Sequence, residues 1–243
     1  MAQRADLVLV ERGLFESRAK ARAAIEAGLV KVDGVALKKP SEPVRDDAQI
    51  EAQAPHPWVS RAGLKLVGGL DHFGTQPQGR ICMDVGSSTG GFTQVLLSRG
   101  AAKVYAVDVG REQLHASLRK DPRMVVMEST DARHLTRALV PDAPSLIVCD
   151  ASFISLRLVL PVPLSLADEG AELIALIKPQ FEAGPERVKK GIVRDAAVHD
   201  DVCDTIRTFI EAQGWRVSGI TPSPIEGGDG NREFLLHATK APS

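Results

Sequence analysis

From Ile81 onward the chain repeats one pattern. Short apolar runs rich in β-branched residues, "ICMDVG" (81–86), "KVYAVDV" (103–109), "MVVMES" (124–129), "SLIVCD" (145–150) and "ELIALIKP" (172–179), are separated for the most part by helical patterns such as 89–99 and 111–120. Such runs suit strands buried on both faces, and the helices between them supply the crossovers that parallel strands require. The alternation therefore predicts βαβ units and an α/β domain on a mainly parallel sheet. It breaks at the end, where a helical stretch (196–213) leads to two strand-like runs, "WRVSGITPSPI" and "EFLLHATK", that lie close together. The last strand is expected to enter the sheet antiparallel.

The first fifty residues follow other rules. Residues 6–14 and 17–28 read as two short helices, the second capped by Ser17 and ended by Gly28. "LVKVDGVALKKP" has the form of a hairpin turning at Asp33-Gly34, and "AQIEA" is a further strand before the Pro-containing "QAPHP". This is a small α/β unit of its own. A chain of 243 residues, 44% hydrophobic, is long enough for one larger α/β domain beside it. Net charge is only −1, but residues 1–40 hold eight Lys/Arg against five Asp/Glu, with Arg18, Lys20 and Arg22 clustered.

Three separated cysteines, Cys82, Cys149 and Cys203, form no metal-binding spacing and point to reduced thiols. The most apolar segment, 153–167, is interrupted by Arg157, Pro161 and Pro163, and the chain opens without a signal peptide. The expectation is a soluble cytoplasmic protein with no membrane partner.

The loop "DVGSSTGGFT" follows the first strand of the sheet, where open α/β sheets bind ligands. It has no lysine for a P-loop, and its glycines, at 86, 90 and 91, miss the dinucleotide spacing. Asp84 at its entrance would repel a pyrophosphate. The same carboxylate suits a ligand with an amino group and a sulfonium but no phosphate, which describes S-adenosylmethionine. Asp84, Gly86, Ser87, Ser88, Thr89, Gly90, Gly91 and Phe92 are the cofactor candidates here. Asp108, ending the second strand, is placed to grip ribose hydroxyls, and Asp131, after the third, to accept from an adenine amine; the alternative is that such acids are solvated or cap helices.

Two later strands run straight into single charges, Asp150 and Lys178. Charges beside buried apolar runs are costly unless paired or used, so the choice lies between a structural ion pair and a reactive group. "CDASFIS" lacks the prolines of base N-methyltransferases. Cys149 should face away from Asp150, because strand neighbours alternate, and so belongs to the core. A lysine with lowered proton affinity would suit a hydroxyl acceptor, which is a poor nucleophile until its proton is taken.

"SRAGLKL", "DVGSSTGGFT", "VYAVDVG", "CDASFISL", "KPQFEAG", "KKGIVRD" and "GNREFLL" occur in this order. With the N-terminal unit they resemble the TlyA (hemolysin A) family of S4-domain ribosomal RNA methyltransferases, relatives of the FtsJ group of 2′-O-methyltransferases. The resemblance implies an S4-like RNA-binding domain over 1–54, a linker over 55–64, and over 65–243 a Rossmann-like class I methyltransferase domain with a seven-stranded, mostly parallel sheet. It implies transfer of a methyl group from S-adenosylmethionine to the 2′-oxygen of cytidine in 16S or 23S ribosomal RNA or their subunits, without a metal. Lys65, Asp150, Lys178 and Glu233 match the catalytic Lys-Asp-Lys-Glu set: Lys178 would take or orient the hydroxyl proton, Asp150 and Glu233 would hold the lysines, and Lys65 would add positive charge. Asp150 would also border the cofactor. Arg4, Arg18, Lys20 and Arg22 would meet RNA, joined by Arg61 of the linker and by Lys189 and Lys190, with Arg187 and Arg194 nearby. Asp131 stands where Asn is common in the family. Competing expectations are an S4-domain RNA-binding protein with a non-catalytic cofactor site, a membrane-damaging hemolysin, and an NAD-dependent oxidoreductase.

Overall fold

The computed structural model describes residues 2–227 and 230–241. The chain divides into two compact units, one ending at Pro57 and one beginning at Trp58. Residues 58–64, expected in the linker, thus belong to the second unit, where the Trp58 ring packs directly against Gly63.

The first unit runs β1 (Ala2–Arg4), α1 (Ala5–Glu11), α2 (Arg18–Glu26), β2 (Val30–Val32), β3 (Val35–Ala36), β4 (Pro43–Arg45) and β5 (Ile50–Ala52). β1 pairs antiparallel with β4, and β2 lies between β3 and β5. Both turn residues of the β2–β3 hairpin have positive φ, Asp33 at 49° and Gly34 at 80°, as a type I′ turn requires. Ser17 Oγ caps α2 by accepting the Lys20 N–H at 3.3 Å. Leu9, Ile25, Val30 and Val44 are among the residues of a small core. Asp6 is buried inside it and held by Arg4 Nε at 2.9 Å and Arg18 Nη2 at 2.8 Å, which keep its carboxyl well below the usual carboxylate range.

The second unit runs α3 (Ala62–Phe73), β6 (Ile81–Val85), α4 (Gly91–Ser98), β7 (Lys103–Val107), β8 (Met124–Met127), β9 (Leu146–Cys149), α5 (Leu156–Val159), α6 (Pro161–Ser165), β10 (Glu172–Ile177), α7 (Pro179–Glu182), α8 (Ala196–Ala212), β11 (Trp215–Pro222) and β12 (Phe234–Lys240). Its seven strands lie in the order β11-β12-β10-β9-β6-β7-β8. β12 is antiparallel to both its neighbours, and the five strands from β10 to β8 are parallel, in line with the sequence pattern.

Alternation along the strands fills two cores, one on each face. Met83, Ile147, Cys149, Leu173 and Ala175 join Val202 and Ile206 of α8. Cys82, Leu146, Val148 and Ile174 join Leu66 and Leu70 of α3 and Val95 and Leu96 of α4. Full burial of a Leu contributes about 1.5–3 kcal/mol, so Leu66 and Leu70 fix the height and rotation of α3 on the sheet. Cys149 lies in the core as expected, its thiol pushed up by burial to about 12.

The expected helix over 111–120 is absent. This stretch is a series of turns folded around the Glu128 carboxylate, which accepts the Gln113 and Leu114 N–H groups at 2.7 and 2.9 Å and pairs with Arg119 at 2.6 Å. Glu112, at φ 56°, is outside helical geometry altogether.

Candidate active site

β6 is flanked by β7 on one side and β9 on the other. The loop after β6 turns toward α4 and that after β9 toward α5, which pack on opposite faces. The two loops open a crevice at the C-terminal ends of the strands, the usual ligand position in such sheets. They nearly touch at one point: a Cβ on Gly86 would lie 2.9 Å from Ala151 Cα, and Gly86 has φ 80°. Only glycine fits there.

Two cavities meet at this point. The first, about 570 Å³, is lined by Gly86, Ser88, Asp108, Asp131 and Asp150, with Phe153 at its edge. Asp108 braces it, accepting the Ser88 N–H at 2.8 Å and the Gly110 N–H at 2.7 Å; a carboxylate has about four acceptor positions, so capacity remains. Asp131 caps a turn of 3₁₀-helix (Ala132–His134) through the Arg133 N–H at 2.9 Å and pairs with the Arg133 side chain, which holds its pKa down at about 2. The capping alternative is therefore realised at Asp131, on the cavity wall.

Asp84 lines neither cavity. It is fully buried beneath the loop, its Oδ2 accepting from Thr93 Oγ1 at 2.6 Å and its Oδ1 without a hydrogen-bond partner. Burial pushes its pKa up to about 7 against the Thr93 bond, with Asp150 adding repulsion. Gly90, the N-cap of α4, also lines neither cavity.

The second cavity, about 490 Å³, shares Gly86, Ser88, Asp150, Ser152 and Phe153 with the first and is bordered by Ser87, Thr89, Gly91 and the edge of the otherwise buried Phe92. Two lysine–carboxylate pairs face it. Lys178 Nζ lies 2.7 Å from Asp150 Oδ1, an ionic contact without hydrogen-bond alignment, and donates to Ser152 Oγ at 2.7 Å and to the Asp150 carbonyl at 3.3 Å. Lys65 Nζ lies 2.5 Å from Glu233 Oε2. Lys65 comes from α3, Asp150 from the end of β9, Lys178 from the end of β10 and Glu233 from just before β12, so four distant segments converge. All but Asp150 are at least 93% buried. Desolvating two ion pairs is seldom favourable for stability alone, so this arrangement points to use. Arg61, at the start of α3, is on the rim.

Sequence reasoning missed the aromatic part of the site. Phe153 is 91% exposed, has φ 63°, and lies 5.1 Å from the Phe181 ring. A bulky residue in that conformation and that exposure is held out at a backbone cost of about 1–3 kcal/mol, a mark of functional segments. Ser152, Gln180 and Asn231, which also line the second cavity, carried no local signal. Among the described residues no group of three or more His, Cys, Asp or Glu could hold a metal ion. No helix among them is long and apolar enough to cross a membrane.

The N-terminal candidates are placed differently. Arg4 and Arg18 hold Asp6 while remaining about half exposed, and Lys20 pairs with Glu16 at 2.5 Å. Arg22 is exposed and forms no ion pair among the described residues.

With this geometry, the chain matches the FtsJ-like methyltransferase family over residues 58–240 and the S4 domain over residues 3–50. The chain belongs to the TlyA family of S4-domain, FtsJ-like methyltransferases. It is 44% identical to the Mycobacterium tuberculosis protein named 16S/23S rRNA (cytidine-2′-O)-methyltransferase TlyA, covering 97% of this chain and 90% of that one. Bacillus subtilis YqxC, described as a candidate rRNA methyltransferase, is 50% identical over 97% of this chain and 85% of its own. A solved structure from Streptococcus thermophilus, described as a candidate hemolysin, superposes with a TM-score of 0.79 at 41% identity, over 100% of this chain and 90% of that one. The seven-stranded unit is thus the methyltransferase domain of this TlyA-family chain, and the small unit its S4 domain.

Proposed function

We propose that the chain transfers a methyl group from S-adenosylmethionine to the ribose 2′-oxygen of a cytidine in ribosomal RNA, 16S, 23S or both. The observation that carries this reading is the junction of the two cavities: one fits a nucleoside and holds acids rather than lysines, and the other presents two buried lysine–carboxylate pairs. The first cavity suits the cofactor. Asp108 retains acceptor capacity for ribose hydroxyls, and the backbone at Gly86 permits close approach.

S-adenosylmethionine, when bound, supplies an electrophilic methyl carbon on a sulfonium sulfur. The protein's residues do the rest. Lys178, fixed by Asp150 and Ser152, orients the acceptor hydroxyl; after releasing one of its own protons to solvent by way of Asp150, the neutral amine takes the hydroxyl proton as the new carbon–oxygen bond forms. The Lys65–Glu233 pair lines the same cavity, and Lys65 stabilises negative charge developing on the oxygen. Holding the acceptor hydroxyl in a fixed direction at the junction of the two cavities would contribute to the acceleration, because well-oriented groups reach effective molarities equivalent to about 7–11 kcal/mol. Phe153 offers its face to the base attached to the acceptor ribose. The S4 unit recruits RNA through phosphate contacts by Arg4, Arg18, Lys20 and Arg22, which position without reading sequence.

The test is methyl transfer from labelled S-adenosylmethionine to purified 30S and 50S subunits and to free ribosomal RNA, followed by nuclease digestion and mass spectrometry. Label on a cytidine ribose is the expected result. Label on a base would overturn the hydroxyl chemistry, and cofactor binding without any transfer would favour a non-catalytic RNA-binding protein.

A further inference from the structure

Between Lys178 and α8 the chain forms a hairpin that the chemistry above does not use. Lys189 and Ile192 exchange both backbone hydrogen bonds at 3.1 Å, and the two residues at the tip, Lys190 and Gly191, have φ of 52° and 77°. A lysine in left-handed geometry costs roughly 1–2 kcal/mol, so the tip persists only because something holds it. The hold is visible. Asn231, 3% exposed, donates from Nδ2 to the Gly191 carbonyl at 2.9 Å and accepts the Val193 N–H on Oδ1 at 3.2 Å. His199, also 3% exposed, bonds through Nε2 to the Val193 carbonyl at 3.0 Å.

The hairpin is a wall between two spaces. Gly191 lines the cavity of Lys178 and Glu233. Lys189, Ile192 and Arg194 line another, about 710 Å³, together with Arg187, Asp195 and the first turn of α8. The acids there are engaged: Asp195 caps α8 through the Ala197 N–H at 3.0 Å, and Asp201 pairs with Arg187 at 2.5 Å. Lys189, Lys190 and Arg194 are exposed and form no ion pair among the described residues. The space is larger than one phosphate needs, and its charges are spread along the hairpin and the segment leading into α8.

We propose that this cavity receives the phosphodiester backbone of the RNA strand next to the acceptor nucleotide, and that Asn231 is the positioning residue that sets the basic hairpin at its distance from Lys178. This rests on the RNA 2′-O-methyltransferase reading and extends it to the path of the strand beyond the reacting ribose. One buried amide fixes both the hairpin tip and its exit, two residues from Glu233, so substrate backbone and acceptor ribose are held by one rigid segment.

The experiment uses the full chain and in vitro transcribed 16S and 23S ribosomal RNA. RNA affinity is measured against KCl concentration, beside steady-state methyl transfer and S-adenosylmethionine binding. Replacing Lys189 and Arg194 together with Gln is expected to lower the slope of log affinity against log salt by about 1.5, because each phosphate contact contributes roughly 0.7–0.9. KM for RNA rises about tenfold or more, and cofactor affinity stays at the wild-type value. Lys120→Gln, on an exposed turn before β8, keeps the wild-type slope. Asn231→Ala raises KM for RNA, and its effect largely disappears in the Lys189/Arg194 double variant, as coupled sites require.

An unchanged slope in the Lys189/Arg194 variant, or an equal fall in Lys120→Gln, overturns the phosphate site. Full additivity of Asn231→Ala with the double variant overturns the positioning role. Should Asn231→Ala fail to fold, the surface variants decide the site, and Asn231→Asp, which keeps the acceptor and loses the donor to Gly191, decides the positioning. If the wild-type chain neither binds nor methylates either RNA or the purified 30S and 50S subunits, the parent reading fails and takes this one with it; wild-type activity on any of these substrates with unaffected variants removes this inference alone.

Discussion

Lys178 sits where three acceptors converge: the Asp150 carboxylate, the Asp150 carbonyl and Ser152 Oγ. Removing its side chain takes no lining residue from the cofactor cavity, which it meets only through Asp150 and Ser152. Lys178→Ala should therefore lower methyl transfer by at least about 10²–10⁴, the usual contribution of a proton-transferring group, while S-adenosylmethionine affinity changes by less than a few-fold. Calorimetric titration beside a label-transfer assay separates the two effects; full activity in this variant would refute hydroxyl activation by Lys178. Asp84 predicts a pH effect on stability instead. Its folded pKa is raised to about 7 from an ordinary 3.8. Between these values the folded protein keeps a proton that the unfolded chain releases, so unfolding becomes easier as pH rises, and above 7 the buried charge is present at its full cost. A tenfold difference in proton affinity between the folded and unfolded chain corresponds to about 1.4 kcal/mol. The midpoint of thermal unfolding of the cofactor-free protein should fall between pH 5 and 8, and Asp84→Asn should flatten that dependence.

The loop from β6 to α4 works as an element because β9 presses against it. Gly86→Ala would place a methyl group 2.9 Å from Ala151 Cα in a φ of 80° that alanine avoids. The expected outcome is a loss of about 1–3 kcal/mol in stability, read by denaturant unfolding, together with weakened cofactor binding as the crevice is pushed open. This loop was legible in the chain because its signals are local: an apolar run, an acid, then small residues. The parallel strands were legible through their two-sided apolar pattern, and the Asp33-Gly34 hairpin through its turn chemistry. The segment 111–120 was not, because Glu128, which organises it, arrives more than a dozen residues later and replaces helical hydrogen bonds with its own. Phe153 and Asn231 were illegible for a related reason. Nothing beside them in sequence distinguishes an exposed ring from a core ring, or an amide that pins a hairpin 40 residues away from a solvated one.

Across the whole molecule, RNA recruitment and chemistry reside in units with separate cores, the first built around Leu9, Ile25 and Val44 and the second around the large sheet. Substitutions in one should leave the other's private functions intact, since distant sites without shared partners act independently. Two arginines four residues apart on α2 make the point testable. Arg18 holds buried Asp6, whereas Arg22 is exposed and forms no ion pair among the described residues. Arg22→Gln should weaken RNA binding and reduce its salt dependence with little change in unfolding temperature. Arg18→Gln should do the same and also destabilise the small unit, because Asp6 then keeps only Arg4; breaking a buried pair outright costs about 3–5 kcal/mol, and the remaining partner places this variant below that range. The Asp6 contribution has the opposite sign to that of Asp84: its folded pKa is lowered, so its stabilisation is present above an ordinary carboxylate pKa and fades as pH falls. The unfolding difference between Arg18→Gln and wild type should accordingly be large at pH 7 and shrink in acid, where Asp6 becomes protonated. S-adenosylmethionine binding should be unaffected in both variants. If Arg22→Gln bound RNA with wild-type affinity and salt slope, α2 would not be the RNA-facing helix, and the N-terminal charge cluster would be a solvated surface.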